Sequence, residues 1–133
     1  MVPLDIEGEH SLTVTEDIVI NFLGVPEGRV LGTPFLIWNL EMASRNLIKP
    51  LLEAGFDSVG TVVHVKHLAA TPLGMKVTFR TRVIVVEARR VQFAVEAFDQ
   101  RDKIAEGTHE RGIIQIAKFA VRVSAKRQPG PAE

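Results

Sequence analysis

Glu41, Thr33 and His67 are the side chains whose types and spacing could carry acid–base chemistry: a carboxylate, a hydroxyl and an imidazole. Glu41 lies within TPFLIWNLEMASRNLIKPLLEAG, where apolar residues recur at nearly every helical turn, so a charge there must reach the edge or have a task. In apolar surroundings a carboxylate becomes a usable base near neutral pH. The bland alternative is a surface ion pair with Arg45, one turn later in the favourable acid-before-base order. His67 ends the row Thr61, Val63, Val65, which alternation places on one inward strand face, with His64 pointing the other way. A histidine ending an apolar row is equally explained as a hydrogen-bonded core residue. Thr33 reads as a helix N-cap, a role that needs no chemistry. It precedes Glu41 by about two helical turns, so both can face a cleft at the helix start.

The elements that must position these groups follow from periodicity. HSLTVTE alternates like a half-buried first strand, and DIVINFLGVPEGRVLG, with its glycines and proline, reads as a short helical turn and a loop able to serve as a lid. The long helix starts with Thr33 as N-cap and Pro34 at the first helical position, and ends near Gly55 after a kink or break at Pro50. From Val59 the period becomes two: VGTVVHVKHLAAT, MKVTFRTRVIVVE, RVQFAVEAF and KIAEGTHERGIIQIAKFAVRVSA predict four long strands in successive antiparallel hairpins. Thr71-Pro72-Leu73-Gly74, Glu87-Ala88-Arg89-Arg90 and Asp99-Gln100-Arg101-Asp102 are the turns, and Gly107 or Gly112 is placed to mark a bulge. These elements describe a hotdog fold of the α+β class, an antiparallel five-stranded sheet wrapped around one long central helix. Residues 1–124 form the single domain and 125–133 a flexible tail.

On the helix, Leu36, Ile37, Leu40, Ala43, Leu47, Ile48 and Leu51 form the face expected to meet the sheet. Phe35, Trp38 and Met42 fall on the mostly polar arc, an apolar strip anomalous on a monomer and therefore expected beneath a partner subunit.

The whole chain narrows the function classes. Its 133 residues, 46% hydrophobic, suit one domain with a genuine core. With 16 basic and 16 acidic residues there is no net basic field to attract nucleic acid or an anionic membrane. The absence of cysteine removes disulfides and thiolate chemistry. The opening MVPLDIEGEH has no apolar signal region and no apolar run approaches membrane-spanning length, so the expectation is a soluble cytoplasmic protein.

The order Thr33-Pro34-Phe35 to Glu41, Gly60-Thr61 to His67, Ala69-Ala70-Thr71-Pro72, and Gly107-Thr108-His109-Glu110-Arg111 with Lys118-Phe119 resembles the fluoroacetyl-CoA thioesterase family of hotdog proteins. The resemblance runs from about Thr33 to Phe119. It implies a homodimer, or a larger assembly built from it, hydrolysing an acyl-CoA thioester at the subunit interface. No metal or separate cofactor is implied, coenzyme A being part of the substrate. By that similarity Thr33, Glu41 and His67 are the catalytic residues, while Gly60, Arg111 and Phe35 are substrate-binding candidates, Arg111 in a supporting role. The alternative for His109-Glu110-Arg111 is a charged stretch of exposed strand, and Arg89-Arg90 reads as a solvated hairpin tip. The loop GVPEGRVLG lacks the phenylalanines that precede the threonine in the family's fluorinated-substrate member, which points away from strict fluoroacetyl selectivity and toward other small acyl groups.

The chemistry expected is that Glu41 and Thr33 generate an oxygen nucleophile, hydroxyl or water, while His67 handles the proton delivered to the leaving thiolate. A backbone N–H near Gly60 or at the helix start would hold the oxyanion. Against this stand a non-catalytic acyl-CoA-binding module, a hotdog enoyl-CoA hydratase and a purely structural dimer.

Overall fold

The computed structural model describes residues 2–130. Strand β1 (Glu7–Thr13) leads through two short 3-10 turns to helix α1 (Thr33–Ile48), followed by β2 (Phe56–His67), β3 (Lys76–Glu87), β4 (Arg90–Phe98), β5 (Lys103–Gln115) and helix α2 (Ile116–Ala125). The strands form one antiparallel sheet in the order β1-β3-β4-β5-β2.

Alternation writes the inner face of this sheet. Val91, Phe93, Val95 and Ala97 of β4 are buried, and Val77, Phe79, Thr81 and Val83 continue the layer on β3. Leu36, Leu40, Ala43 and Ile48 of α1 pack onto them, so the helix is held along its apolar stripe. Ser44 is buried at the same contact, donating to the Leu40 carbonyl and meeting the Thr81 hydroxyl at 2.8 Å. Ile37 is only half-buried and Leu51 is exposed, so the helical stripe is narrower than its composition implies. Phe35 and Trp38 are 38% and 56% exposed, as placed by the helical wheel.

Several boundaries differ from the sequence reading. The first strand lies at 7–13, because its partner Lys76–Arg82 fixes the register there and Val14 turns into the core. The α-helix stops at Ile48, where Lys49-Pro50-Leu51 tightens into a 3-10 turn; the ring of Pro50 cannot continue the α ladder. The long final strand is also corrected: IAKFAVRVSA is the helix α2, whose apolar residues suit a 3.6 period as well as a period of two. Of the predicted tail, Gln128 lies just beyond α2, and residues 131–133 lie outside the described residues.

The predicted hairpin between β2 and β3 is absent: β2 pairs with β5, and β3 lies between β1 and β4. The segment between β2 and β3 instead crosses to the far side of the sheet and is tied down on the way. Thr71 O accepts from Leu31 N–H, Leu73 N–H donates to Arg29 O, and Gly74 N–H donates to Val14 O. Thr71 is buried, and its hydroxyl donates to Asp99 at 2.9 Å, joining this segment to the β4–β5 turn. β3 and β4 do form a tight hairpin, with the non-glycine Ala88 in the left-handed region (φ 51°) that two-residue turns require. Arg89 and Arg90 are exposed at its tip, as expected.

Strand β2 is a sheet edge, and it carries a bulge between Gly60 and Val62. Gly107 does not mark a bulge in β5; a Cβ there would overlap the His64 carbonyl, so the residue allows close approach of β2. Among the described residues no helix is long and apolar enough to cross a membrane.

Candidate active site

Thr33 is placed by the segment that precedes it. Leu31 N–H donates to Thr71 O and Gly32 N–H to Ile18 O, so the chain enters α1 at a fixed angle. The N-cap is Gly32, and Thr33 is the first helical residue, correcting the expected cap. Its hydroxyl is thereby released from capping and lies 2.8 Å from His67 Nδ1 at the end of β2. Burial lowers the His67 pKa below that of an exposed imidazole, opposed by a backbone hydrogen bond at Ala69. Neutral His67 is a competent acceptor for the Thr33 proton. The other ring nitrogen, Nε2, is buried and has no hydrogen-bond partner among the described residues.

Glu41 sits elsewhere on the helix, about 12 Å further along its axis. Its carboxylate does not meet Arg45, which instead grips Asp57 with two hydrogen bonds of 3.0 and 2.6 Å. Glu41 Oε1 lies 3.7 Å from Arg111 Nη1 and 4.0 Å from His109 Nε2. It occupies space left by Gly60, where a Cβ would overlap Oε1. Any larger residue at position 60 would displace the carboxylate by volume, with no backbone torsion that calls for glycine.

The bulge explains why strand parity misplaces one residue. Gly60 faces Arg111 across the ladder and Val62 faces Glu110, leaving Thr61 as the extra residue. Thr61 consequently turns to the outer face, where its hydroxyl meets Glu110, while Val63 and His67 stay on the face of His109 and Ala105. The expected single row from Thr61 to His67 is broken there.

The charged segment 109–111 is not an exposed strand. His109 and Arg111 are 2% and 4% exposed, and only Glu110 faces outward, toward Gln92 and Arg90. Arg111 donates from Nε to Ser58 Oγ at 2.7 Å and from Nη2 to Ser58 O at 2.8 Å. Sequence reasoning missed His109 and Ser58. Alternation from the small residues Ala105 and Gly107 does place His109 and Arg111 on the inner face.

One chain therefore brings Thr33 to His67, and separately Glu41 to Gly60, His109 and Arg111. Among the described residues Glu41 makes no hydrogen bond to Thr33 or His67. Phe35 packs near Gly32, and Phe22, in the loop expected to act as a lid, is 77% exposed at its tip. An open groove of about 790 Å³ runs along α2 and is lined by residues such as Ile114, Lys118 and Val121 rather than by these groups.

Comparison with known proteins adds the following. The family described as fluoroacetyl-CoA-specific thioesterase (FlK) matches residues 14–117. A fluoroacetyl-CoA thioesterase of Streptantibioticus cattleyicolor is 40% identical over 109 residues, spanning 82% of this chain and 77% of that protein. A threonine-to-serine mutant of FlK in complex with acetyl-CoA is 32% identical with a TM-score of 0.86, covering 96% of this chain and 100% of the other. A thioesterase superfamily member from Thermus thermophilus is 29% identical with a TM-score of 0.87, covering 96% and 95%.

Proposed function

The chain belongs to the fluoroacetyl-CoA-specific thioesterase family and is an acyl-CoA thioester hydrolase, and we propose that Thr33, His67 and Glu41 perform the reaction at sites divided between two copies of the chain. The observation that carries this reading is the 2.8 Å contact between the Thr33 hydroxyl and His67 Nδ1, a nucleophile held on a neutral base.

In the first step His67 takes the Thr33 proton as Oγ1 bonds to the thioester carbonyl carbon. The C–S bond then breaks, and the same proton passes to the coenzyme A thiolate. At the start of α1 the Thr33 N–H is the backbone donor left for the developing oxyanion, since Pro34 has no N–H and those of Phe35 and Leu36 donate to the Gly32 carbonyl. In the second step Glu41 takes a proton from water as the water oxygen attacks the ester, and passes that proton to Thr33 Oγ1 as the C–O bond breaks; the carboxylic acid released loses its proton to solvent. The net change is one water consumed, and one carboxylate, one proton and one thiol released. No metal or separate cofactor has a role in this scheme.

Two copies are needed because Glu41 is far from the Thr33–His67 pair along its own helix. β2 is a free edge with Val62 and Val63 each 37% exposed, the kind of edge that proteins cover. Antiparallel pairing of two β2 edges about a centre between Val63 and His64 would set Gly60 of one copy opposite His67 of the other. Glu41, beside Gly60, would then approach the second copy's Thr33–His67 pair, and the exposed Phe35–Trp38 strip would gain a cover.

The substrate class is a small acyl group on coenzyme A, in line with the relatives' fluoroacetyl and acetyl thioesters. Phe35 and Gly60 border the two halves of the site, and Arg111 supports the Glu41 half. The solvated Phe22 favours acceptance of acyl groups beyond fluoroacetyl. A cytoplasmic location accords with the cysteine-free composition.

Mixing inactive chains tests the divided site. Glu41→Gln and Thr33→Ala homodimers should each release little thiol from acetyl-CoA, and subunit exchange between them should recover activity, because the mixed dimer holds one intact site. Two inactive variants that stay inactive after verified exchange would place all three groups in one chain and end this reading.

A further inference from the structure

His109 has no assigned role, yet two partners of opposite kinds fix it. The Val62 carbonyl, at the β2 bulge, is 2.8 Å from Nδ1, so that nitrogen must carry a proton. Arg111 Nη1 is 3.2 Å from Nε2, and a guanidinium only donates, so Nε2 must be an unprotonated acceptor. The ring is stacked against Phe93, with centroids 5.9 Å apart, and is buried. Position, tautomer and charge are thereby all specified.

We propose that His109 is a positioning residue for Glu41: as a neutral acceptor anchored on the bulge, it holds the Arg111 guanidinium beside the carboxylate but short of a direct hydrogen bond. The proposal rests on the reading of Glu41 as a catalytic group. Arg111 has its Nε and Nη2 engaged by Ser58, leaving Nη1 to be shared between His109 and the Glu41 side. Without an acceptor at Nε2, Nη1 can turn to bond the carboxylate directly, drawing it away from water. With one, the cation stays at 3.7 Å, close enough to hold the carboxylate in place but longer than a hydrogen bond. The bulge joins this arrangement to the substrate side: Val62 O holds His109, and the adjacent Gly60 makes room for Glu41 and lies against the His109 ring, where an added Cβ would be 3.3 Å from Cε1.

Burial, more than the surrounding charges, agrees with a neutral ring. Burial lowers the His109 pKa, with the Arg111 charge acting in the same direction, while the Val62 hydrogen bond, Glu41 and Glu110 oppose it. Burial likewise lowers that of Arg111, against the attraction of Glu41 and Asp57 and with the repulsion of Arg45.

The test compares His109→Gln, which returns an acceptor near Nε2, with His109→Asn, which offers a donor to Val62 alone, and His109→Phe, which keeps only the volume. On acetyl-CoA, kcat should fall about 10- to 100-fold in the Asn and Phe variants with KM little changed, and should largely recover in Gln. In parallel, the Arg111 side-chain N–H resonances should stay protected from exchange in wild type and Gln and lose protection in Asn. If the Phe variant does not fold, the Gln–Asn pair decides alone. Equal kcat in Gln and Asn, or equal Arg111 protection, overturns the proposal. Full activity in Glu41→Gln would instead remove the catalytic reading of Glu41, an outcome the exchange measurement does not depend on.

Discussion

The Thr33 hydroxyl and His67 Nδ1 are 2.8 Å apart although one residue begins a helix and the other ends a strand. Gly32, as the N-cap, frees the hydroxyl, and the Leu31–Thr71 hydrogen bond holds the helix start against the end of β2. The contact is therefore a product of a loop tie rather than of either element alone.

Removing either member should slow turnover without unfolding the chain. Thr33→Ala and His67→Ala are expected to lower kcat by about 10²- to 10⁴-fold, while Thr33→Ser keeps a hydroxyl and most of the rate. Thiol release from a panel of short acyl-CoAs measures this, and near-normal turnover in His67→Ala would falsify its role as base.

Gly60→Ala places a methyl group where Glu41 Oε1 lies. The carboxylate must move, so kcat should drop by about 10-fold or more, with a melting temperature close to wild type since Gly60 is exposed on an edge strand. A wild-type rate would show that Glu41 has no fixed position to lose.

The pH dependence follows from burial of His67, which favours the neutral ring. Activity should hold at neutral pH and fall in acid with an apparent midpoint below the usual ~6.5 of histidine. Stability moves in the same direction. On acidification the unfolded imidazoles protonate first, so stability contributed by neutral His67 and His109 is complete above ~6.5 and is lost as pH falls toward their lower folded values. Denaturant titrations between neutral and mildly acidic pH test the sign; stability rising through that window contradicts it.

Arg45→Ala separates structural from catalytic charge. Its hydrogen bonds to Asp57 tie α1 to the start of β2, so losing them should cost about 1–3 kcal/mol in urea unfolding. Turnover of the folded fraction should be unchanged, because Arg45 does not touch Glu41. A large fall in kcat would reinstate the Glu41–Arg45 pair.

Trp38→Glu and Val62→Lys each put a charge on an exposed apolar position of the face assigned to the second copy. Sedimentation should show loss of self-association, with activity lost in proportion. Active monomers would contradict the divided site.

Sequence periodicity determined the strand and helix inventory from α1 to β5, the helical strip at Phe35 and Trp38, and the exposed hairpin at Arg89, because local side-chain patterns govern which face of an element is apolar. The family, too, was legible in GTHER, AATP and their intervals. It failed where one pattern satisfies two structures: IAKFAVRVSA alternates well enough for a strand and repeats well enough for a helix, and the chain takes the helix α2 without burying any of its residues.

Only the tertiary structure decided the partners. Whether Glu41 meets Arg45 or Arg111 depends on where β5 lies relative to α1, which spacing along the chain does not encode. The one-residue bulge after Gly60 turned Thr61 outward and gave Val62 O to His109, an event invisible to a strict two-residue period. Strand order did the rest: by leaving β2 at an edge and carrying the Ala69–Thr71 segment across to Leu31, it joined Thr33 to His67 and set Glu41 apart. Side-chain types fix which reactions are available, while long-range packing fixes which of those groups can meet.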